Sequence, residues 1–269
     1  MALWEGNAMG MFRLMYHFFR IGAMNELQYR VNFWIQLLQS GVALAVGLVS
    51  LALVFSHTTD LAGWSQTELL VVMGVHIMMG GLIGAIIQPN MLRLMEDIRE
   101  GTLDFALTKP EDAQIMVSVR EIRLWRLVDV ILGAILLGTA LVLLGDAIGP
   151  LQVAGFVVAI IFGALMIYSF WIMLTSVAFW VVRVDEMLNL FEGIYAAGRW
   201  PVGIYPGWLR GLLTFLVPIA FAVTVPAEAL TGRLSGATLG LAALLTIGLL
   251  VLSRLVWRIG LRQYGGASA

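Results

Sequence analysis

Long uncharged apolar stretches alternate along the chain with short polar or charged segments, a pattern typical of proteins that cross a membrane several times. Five stretches are long enough to span the hydrocarbon core of a bilayer, namely residues 31–55, 69–87, 127–144, 151–182 and 238–257. The second is predicted to end at a Gln-Pro-Asn sequence, and a tight turn over residues 145–150 is predicted to join the third to the fourth. The pattern therefore predicts five plain spanning helices.

The distribution of arginine predicts a sixth crossing. Both ends of the chain are rich in this residue, with Arg13, Arg20 and Arg30 near the start and Arg254, Arg258 and Arg262 near the end. Because basic segments stay on the cytoplasmic side, both termini are predicted to be cytoplasmic and the number of crossings even. Residues 185–204 are the only candidate for the missing crossing. We therefore predict an all-α polytopic membrane protein with six transmembrane helices, in the cytoplasmic (inner) membrane.

The segment over residues 199–230 is apolar enough for lipid but is interrupted by four of the chain's seven prolines, Pro201, Pro206, Pro218 and Pro226. An interior proline removes a backbone hydrogen bond and clashes with the preceding turn. In hydrocarbon the freed backbone groups are tolerated only where protein or water covers them. We therefore predict a re-entrant helical hairpin over residues 205–230, on the outer side, before the last span.

Residues 9–30 are predicted to form an amphipathic N-terminal helix that lies in the headgroup plane, with Arg13, His17 and Arg20 on one face. The alternative is a plain charged lead-in to the first span. The first ten residues lack the layout of a cleavable signal peptide, so we expect the first span to remain as an anchor.

The only long charged segment is residues 91–126, which the positive-inside rule places in the cytoplasm. Within it, residues 91–100 predict a short amphipathic helix that Gly101 ends, followed by an extended piece over residues 102–109. Its apolar side holds Leu92, Met95 and Ile98, and its exposed side Arg93, Glu96, Asp97, Arg99 and Glu100. Such a face is either merely solvated or docks on a cytoplasmic partner.

The predicted fifth span carries a polar stripe at helical spacing, formed by Asp185, Asn189, Glu192 and Arg199. A charged residue at membrane depth costs about 2.5–3.5 kcal/mol, so such residues usually face protein or water. The stripe therefore lines either a conduit or a seam between subunits. The alternative is a structural Glu192–Arg199 pair or contact with a neighbouring helix.

Composition supports membrane insertion and limits the chemistry. The 269 residues are 60% hydrophobic and 12% charged, with a mean hydropathy of +0.92, whereas soluble domains are about a quarter charged. Cysteine is absent, which excludes disulfides and thiolate metal sites. No phosphate-binding loop surrounds Lys109, no hydrolase motif is present, and the basic residues are too few for nucleic-acid binding. We expect no cofactor on this chain and an energy source elsewhere.

Two segments, REGTLDFALTKP at residues 99–110 and RWPVGIYPGWLRGLLTFLVPIAFAVTVPAEALTG at residues 199–232, resemble the ABC-2 type transporter permease family. The resemblance is to the branch whose paired permease genes accompany a separate ATPase. The order of parts also matches over nearly the whole chain, from the amphipathic N-terminal helix to the final span. The resemblance implies one transmembrane domain over residues 1–269, similar to type V ABC exporters.

The resemblance also implies partners and roles. Two permeases would assemble with two cytoplasmic ABC ATPase subunits, which hold ATP and Mg²⁺, and a related permease is favoured over a second copy, giving a heterodimer in membrane lipid. A coupling segment over residues 91–110 would contact the ATPase through Leu92, Arg93, Met95, Glu96, Asp97, Arg99, Glu100 and Asp104. A re-entrant gate would comprise Pro201, Tyr205, Pro206, Trp208, Phe215, Pro218, Phe221 and Pro226. Reversing Glu96 and Asp97 to lysine is then predicted to abolish coupling while leaving insertion intact.

The leading hypothesis is a permease subunit of an ATP-driven exporter of amphiphilic or hydrophobic substrates. A secondary transporter or channel, with Glu192, Arg199 and His76 as an ion or proton relay, is the alternative, but it predicts matching broken segments in both halves, and only the C-terminal half is broken. A membrane-embedded enzyme or assembly factor is a third class, and no nucleophile or metal constellation supports the enzyme. Co-purification of a soluble ATPase discriminates among them.

Overall fold

The computed structural model describes residues 30–109, 112–145, 148–180 and 185–265, without the side chains of Arg30 and residues 185–189. Within these ranges the regular elements are helices. In chain order they are α1 (Arg30–Phe55), α2 (Gln66–Glu100), α3 (Asp104–Leu107), α4 (Ala113–Val117), α5 (Leu127–Leu144), α6 (Pro150–Ser176), α7 (Asp185–Ala197), α8 (Gly207–Leu216), α9 (Ala220–Leu230) and α10 (Gly236–Leu261). The interfacial helix predicted over residues 9–30 lies outside the described residues except for Arg30 and stays a prediction.

In the described residues, five helices are long and apolar enough to cross a membrane, α1, α2, α5, α6 and α10, and the bent pair α8–α9 raises the number to six if it counts as one span. The prediction of an all-α polytopic membrane protein is confirmed. The bounds of α1 and α5 match the predicted stretches almost residue for residue, because polar or charged residues flank both.

Helix α2 differs from the prediction of a span followed by a separate short helix. It runs for 35 residues, which at 1.5 Å per residue is about 52 Å, much longer than the hydrocarbon core of about 30 Å. Pro89 does not break it because a π-helical turn over Ile83–Ile87 precedes the proline, and the Ala85 carbonyl, four residues before Pro89, accepts a hydrogen bond from the Arg123 amide at 2.9 Å.

Prolines are also preceded by π-helical turns in the proline-rich segment. The π-helical turns Leu212–Leu216 and Ala220–Thr224 each end two residues before a proline, Pro218 and Pro226. In a π turn the backbone hydrogen bonds join residues five apart instead of four. This shift in the hydrogen-bond pattern accommodates the proline, which has no N–H to donate. Pro226 consequently lies inside α9, whereas Pro218 lies at the bend between α8 and α9.

Helix α7 is shorter than the fifth span predicted over residues 185–204. It has 13 residues, or about 20 Å, and ends before Gly198, where a turn leads through Pro201 to a short 3₁₀ helix over Val202–Ile204. The predicted single span is therefore replaced by a helix and a turn.

Helices α8 and α9 are bent by 77° relative to each other. A Cβ built on Gly198 would lie 2.5 Å from Ile219 at the bend, and the Val202 amide, just before α8, donates to the Thr224 hydroxyl of α9 at 3.3 Å. The segment before α8 therefore packs against α9, and the two helices, here together called the hairpin, are oblique to each other and not antiparallel. That the pair re-enters the membrane stays a prediction.

Close glycine packing joins α2 to α5. A Cβ built on Gly133 would lie 2.5 Å from the Met78 amide nitrogen and 2.8 Å from the Gly74 carbonyl oxygen, and one built on Gly81 would lie 2.7 Å from the Val130 nitrogen. The two backbones approach this closely because small residues occupy the crossing. A similar contact of Gly163 with Ala222 holds α6 against α9.

The two ends of the bundle are chemically different. One end, here called the arginine end, holds Arg93 in the last turns of α2, Arg120 in the loop between α2 and α5, and Arg254 of α10. At the other end, here called the Trp64 end, the Arg233 guanidinium pairs with Glu68 at 2.6 Å and lies over the Trp64 ring at 4.6 Å. This pair ties the end of the hairpin to the start of α2.

At the arginine end, the Arg254 guanidinium hydrogen-bonds the Asp112 carboxylate and holds the pKa of that carboxyl below its usual range, although burial opposes the shift. Because the folded pKa is the lower one, the pair stabilises the protein fully above the unfolded value of about 3.9 and loses this contribution as the pH falls through the folded pKa.

We expect Asp112→Asn to unfold at a lower temperature than the parent at pH 7, and this difference to shrink at about pH 3. Thermal unfolding in detergent at both pH values measures it, and Glu100→Gln, an exposed acid at the same end, is the control. A difference that persists unchanged in acid would contradict the expectation.

Candidate functional site

A cavity of about 380 Å³ lies between α1, α2, α5 and α7. Its polar lining comes from every one of these helices and includes Gln36, Ser40, His76, Gln88, Asp129, Glu192 and Arg199. Polar groups at membrane depth are costly unless they face protein or water. This cavity is therefore the main candidate site in the part of the chain that the structure describes.

Asp129, at the start of α5, forms the polar wall between α1 and α5. Its carboxylate accepts hydrogen bonds from the Ser40 hydroxyl and from Gln36 Nε2 at 3.2 Å, and Arg126 Nη1 lies 3.7 Å away. This cluster, the Asp129 clasp, attaches α1 to the bundle. The sequence reasoning missed it, although an acid in an otherwise uncharged span was the available signal.

Helix α7 brings two residues of the predicted polar stripe to the cavity. Glu192 accepts a hydrogen bond from Gln88 Nε2 at 3.1 Å, and Arg199 lines the same space. The Glu192–Arg199 pair considered as an alternative is not formed, and Arg199 has no carboxylate within ion-pair distance among the described residues. The side chains of Asp185 and Asn189 lie outside the described part, so their share in the stripe stays a prediction.

His76 lines the cavity and begins a stack of rings. Its ring lies 4.6 Å from that of Tyr195, which stacks in turn on Phe191 at 5.8 Å, and the Tyr195 hydroxyl donates to the His76 carbonyl at 2.8 Å. The Nδ1 atom of His76 is buried without a hydrogen-bond partner. The proposed relay residues thus share one cavity, but in the described region no hydrogen bond connects His76 with Glu192 or Arg199.

Asp97 organises the arginine end, and its predicted exposure is wrong. The residue is 3% exposed, pairs with Arg120 at 2.7 Å and Arg93 at 3.4 Å, and accepts a bond from the Thr102 hydroxyl at 3.0 Å. It is buried because the loop segment around Arg120 lies against this side of α2. Asn90 makes the same connection two turns earlier through the backbone of Glu121.

The remaining predicted coupling residues are distributed around the last turns of α2. Arg93, Arg99 and Glu100 are exposed, Leu92, Glu96 and Asp104 are half-buried, and Met95 is buried. The piece over residues 102–109, predicted to be extended, contains helix α3. That helix presents Phe105 with 76% of its surface exposed, and sequence reasoning missed this residue because the segment offered no helical period.

The predicted gate residues all lie in or beside the hairpin. Pro201, Pro218, Phe221 and Pro226 are buried, Tyr205 is half-buried, and Pro206, Trp208 and Phe215 are exposed. The exposed aromatic side chains belong to the oblique arm α8 and face away from this chain. Their role as a gate stays a prediction.

The family described as ABC-2 family transporter protein matches residues 42–268 of the chain. No curated protein and no solved structure matches the chain. The matched range contains the arginine end, the hairpin and most of the cavity lining, all but Gln36, Gln39 and Ser40, and it extends over far more than half of the sequence. The chain therefore belongs to the ABC-2 family and is a membrane permease of an ABC transporter, the kind of subunit that associates with a cytoplasmic ABC ATPase.

Proposed function

We propose that this chain is the permease subunit of an ATP-driven exporter that moves an amphiphilic or hydrophobic substrate across the cytoplasmic membrane. A separate cytoplasmic ABC ATPase would hold ATP and Mg²⁺ and supply the energy. The arginine end would face the cytoplasm, in agreement with the positive-inside rule, and the hairpin would face outward. Both termini would then be cytoplasmic.

The observation that carries this proposal is the length and placement of α2. The same continuous helix lines the cavity with His76 and Gln88 and continues beyond the length of a membrane core to end at Gly101, which adopts a left-handed conformation with φ of 74°. Movement of its arginine end is therefore transmitted directly to the cavity wall. A secondary transporter has no need for such an extension.

The surface offered to the ATPase consists of the last turn of α2 and of α3. Arg99 and Glu100 are exposed at the end of α2, and the exposed ring of Phe105 follows on α3. Aromatic anchors bordered by charged residues are typical of the centres of protein interfaces. Phe105 is thus the proposed anchor of the coupling segment.

Replacing Phe105 with alanine is expected to weaken binding of the ATPase at least about tenfold, the effect of losing an aromatic anchor worth about 2 kcal/mol. The thermal stability of the permease itself should not change, because the ring makes few contacts within the chain. The measurement is a pull-down from mild detergent with the chain as bait, followed by an ATPase assay of the bound fraction. Leu151→Ala, which removes an apolar side chain that is 86% exposed at the start of α6, far from the coupling segment, is the control. Undiminished ATPase recovery with Phe105→Ala would reject this anchor, and recovery of no ATPase with the parent chain would reject the exporter.

The assembly is proposed to contain two permeases and two ATPases, with a related permease as the favoured partner of this chain. The exposed rings of Trp208 and Phe215 on α8 support a contact with that second permease or with membrane lipid. Mass determination of the purified complex distinguishes a heterodimeric from a homodimeric membrane core.

A further inference from the structure

We propose that the cavity between α1, α2, α5 and α7 binds the anionic headgroup of an amphiphile, with Arg199 as the counter-charge. The inference rests on the proposed function, for which it names the substrate class. It is carried by the charge balance of the cavity, by an unpartnered ring nitrogen beside it, and by the apolar surface around Arg199.

The acidic residues of the cavity already have partners. Asp129 is held by Ser40, Gln36 and Arg126, while Glu192 is exposed and accepts a hydrogen bond from Gln88. Arg199 is the one half-buried charge of the lining without a counter-ion among the described residues. A half-buried cation without a counter-charge is costly, and a bound anion offsets that cost.

A second donor lies close to the backbone next to Arg199. A Cβ built on Gly198, the preceding residue, would lie 3.4 Å from His76 Nδ1, and this nitrogen is buried without a partner among the described residues. In the tautomer with a proton on Nδ1, the imidazole donates a hydrogen bond. A carboxylate, phosphate or sulfate accepts from a guanidinium and such a ring together.

Apolar side chains surround the same arginine. Leu51, Leu69, Met73 and Trp200 line a small void of about 10 Å³ that Arg199 also borders, and Leu44 and Met73 line the main cavity. In the main cavity Ala43 is exposed and Leu44 half-buried. A free inorganic anion gains nothing from this open apolar wall, whereas an acyl chain buries it at about 25 cal/mol per Å². The surroundings therefore favour an amphiphile over a free ion.

The wall on the α1 side is suited to admit such a molecule from lipid. Only 11% of the residues in the apolar window of α1 are buried, and its polar bonds to the bundle are those of the Asp129 clasp. The volume of about 380 Å³ lies within the usual range for small-molecule sites, about 300–1,000 Å³.

Binding is tested on the purified permease alone, in a non-ionic detergent, by titration in native mass spectrometry. Two probes, dodecyl phosphate and dodecyltrimethylammonium, have the same alkyl chain and opposite headgroup charges. Inorganic phosphate serves as the free anion. We expect dodecyl phosphate to bind at least about tenfold more tightly than the cation, and Arg199→Gln to weaken it about 10–100-fold, the value of one charged hydrogen bond. Arg258→Gln, which removes an exposed arginine of α10, should leave binding unchanged.

Equal binding of the two amphiphiles by the parent chain would overturn the proposal without the need for any variant, and so would unchanged binding by Arg199→Gln. Displacement of dodecyl phosphate by an equal concentration of inorganic phosphate would overturn the amphiphile assignment. If Arg199→Gln does not fold, Arg199→Lys retains the charge and should retain most of the binding. No ATPase or ATP is present, so these outcomes are independent of whether the exporter proposal stands.

Discussion

Substitution of Gly133 with leucine is expected to prevent the permease from folding. The new Cβ alone would lie 2.5 Å from the Met78 nitrogen and 2.8 Å from the Gly74 carbonyl oxygen, and these are backbone atoms, which cannot rotate away. Overpacking of a side chain usually costs about 1–3 kcal/mol, and separation of two backbones that share glycine contacts costs more, because the contacts along the whole crossing are lost.

The same helix provides the matched control. Gly138 lies five residues further along α5, and a Cβ built there meets nothing within 4 Å. Gly138→Leu should therefore insert and unfold like the parent protein. Fluorescence-detected size-exclusion chromatography and thermal unfolding compare the two variants directly, and equal yields and unfolding temperatures would show that the α2–α5 crossing does not determine the fold.

Removal of the Asp97 carboxylate is the second change with a large expected effect. Asp97→Ala leaves Arg120, whose side chain is 22% exposed, without its counter-charge and removes the acceptor of the Thr102 hydroxyl. We therefore expect the free energy of unfolding to fall by about 3–5 kcal/mol. Glu96→Ala, one residue earlier, removes a side chain that is 45% exposed and, among the described residues, pairs with Arg93 alone, so a loss of less than about 1 kcal/mol in the free energy of unfolding is expected. Unfolding in denaturant or heat, with each variant in the same detergent, measures both.

A double-mutant cycle separates the two possible roles of Asp97. If the carboxylate acts through Arg120, Asp97→Ala combined with Arg120→Ala should be less damaging than the sum of the two single changes. If it acts instead by direct contact with the ATPase, the single variant should be as stable as the parent and lose only ATPase recovery. The combined reversal of Glu96 and Asp97 to lysine is for this reason not a clean test of coupling, because it introduces a third cation beside Arg93 and Arg120.

Most of the spanning architecture was predictable from the sequence, because the bilayer imposes one length and one polarity on every plain span. Helices α1 and α5 show this best. The departures occur at prolines. Pro89 was interpreted as the end of a helix, but the π turn before it and the Arg123 amide accommodate it, and neither is visible in a local pattern.

The site was only partly predictable. Helical spacing identified Glu192 and Arg199 as one face of a helix, and that face does border a cavity. The other walls come from Gln36, Ser40 and Asp129, which lie far apart in sequence, and only the packing of α1 against α5 brings them together. The burial of Asp97 was not predictable from local sequence either, because it depends on Arg120, which lies 23 residues later in the chain.

The dimensions of α2 have a mechanical consequence. Its contact with α5 through Gly74, Met78 and Gly81 forms a natural fulcrum, and Met78 stands about 33 Å from the end at Glu100 but only about 18 Å from the end at Gln66. A rigid tilt about that point converts a displacement at the arginine end into an opposite one about half as large at the Trp64 end, with about twice the force. If α2 tilts in this way, it would trade distance for force, with the glycine crossing as the pivot.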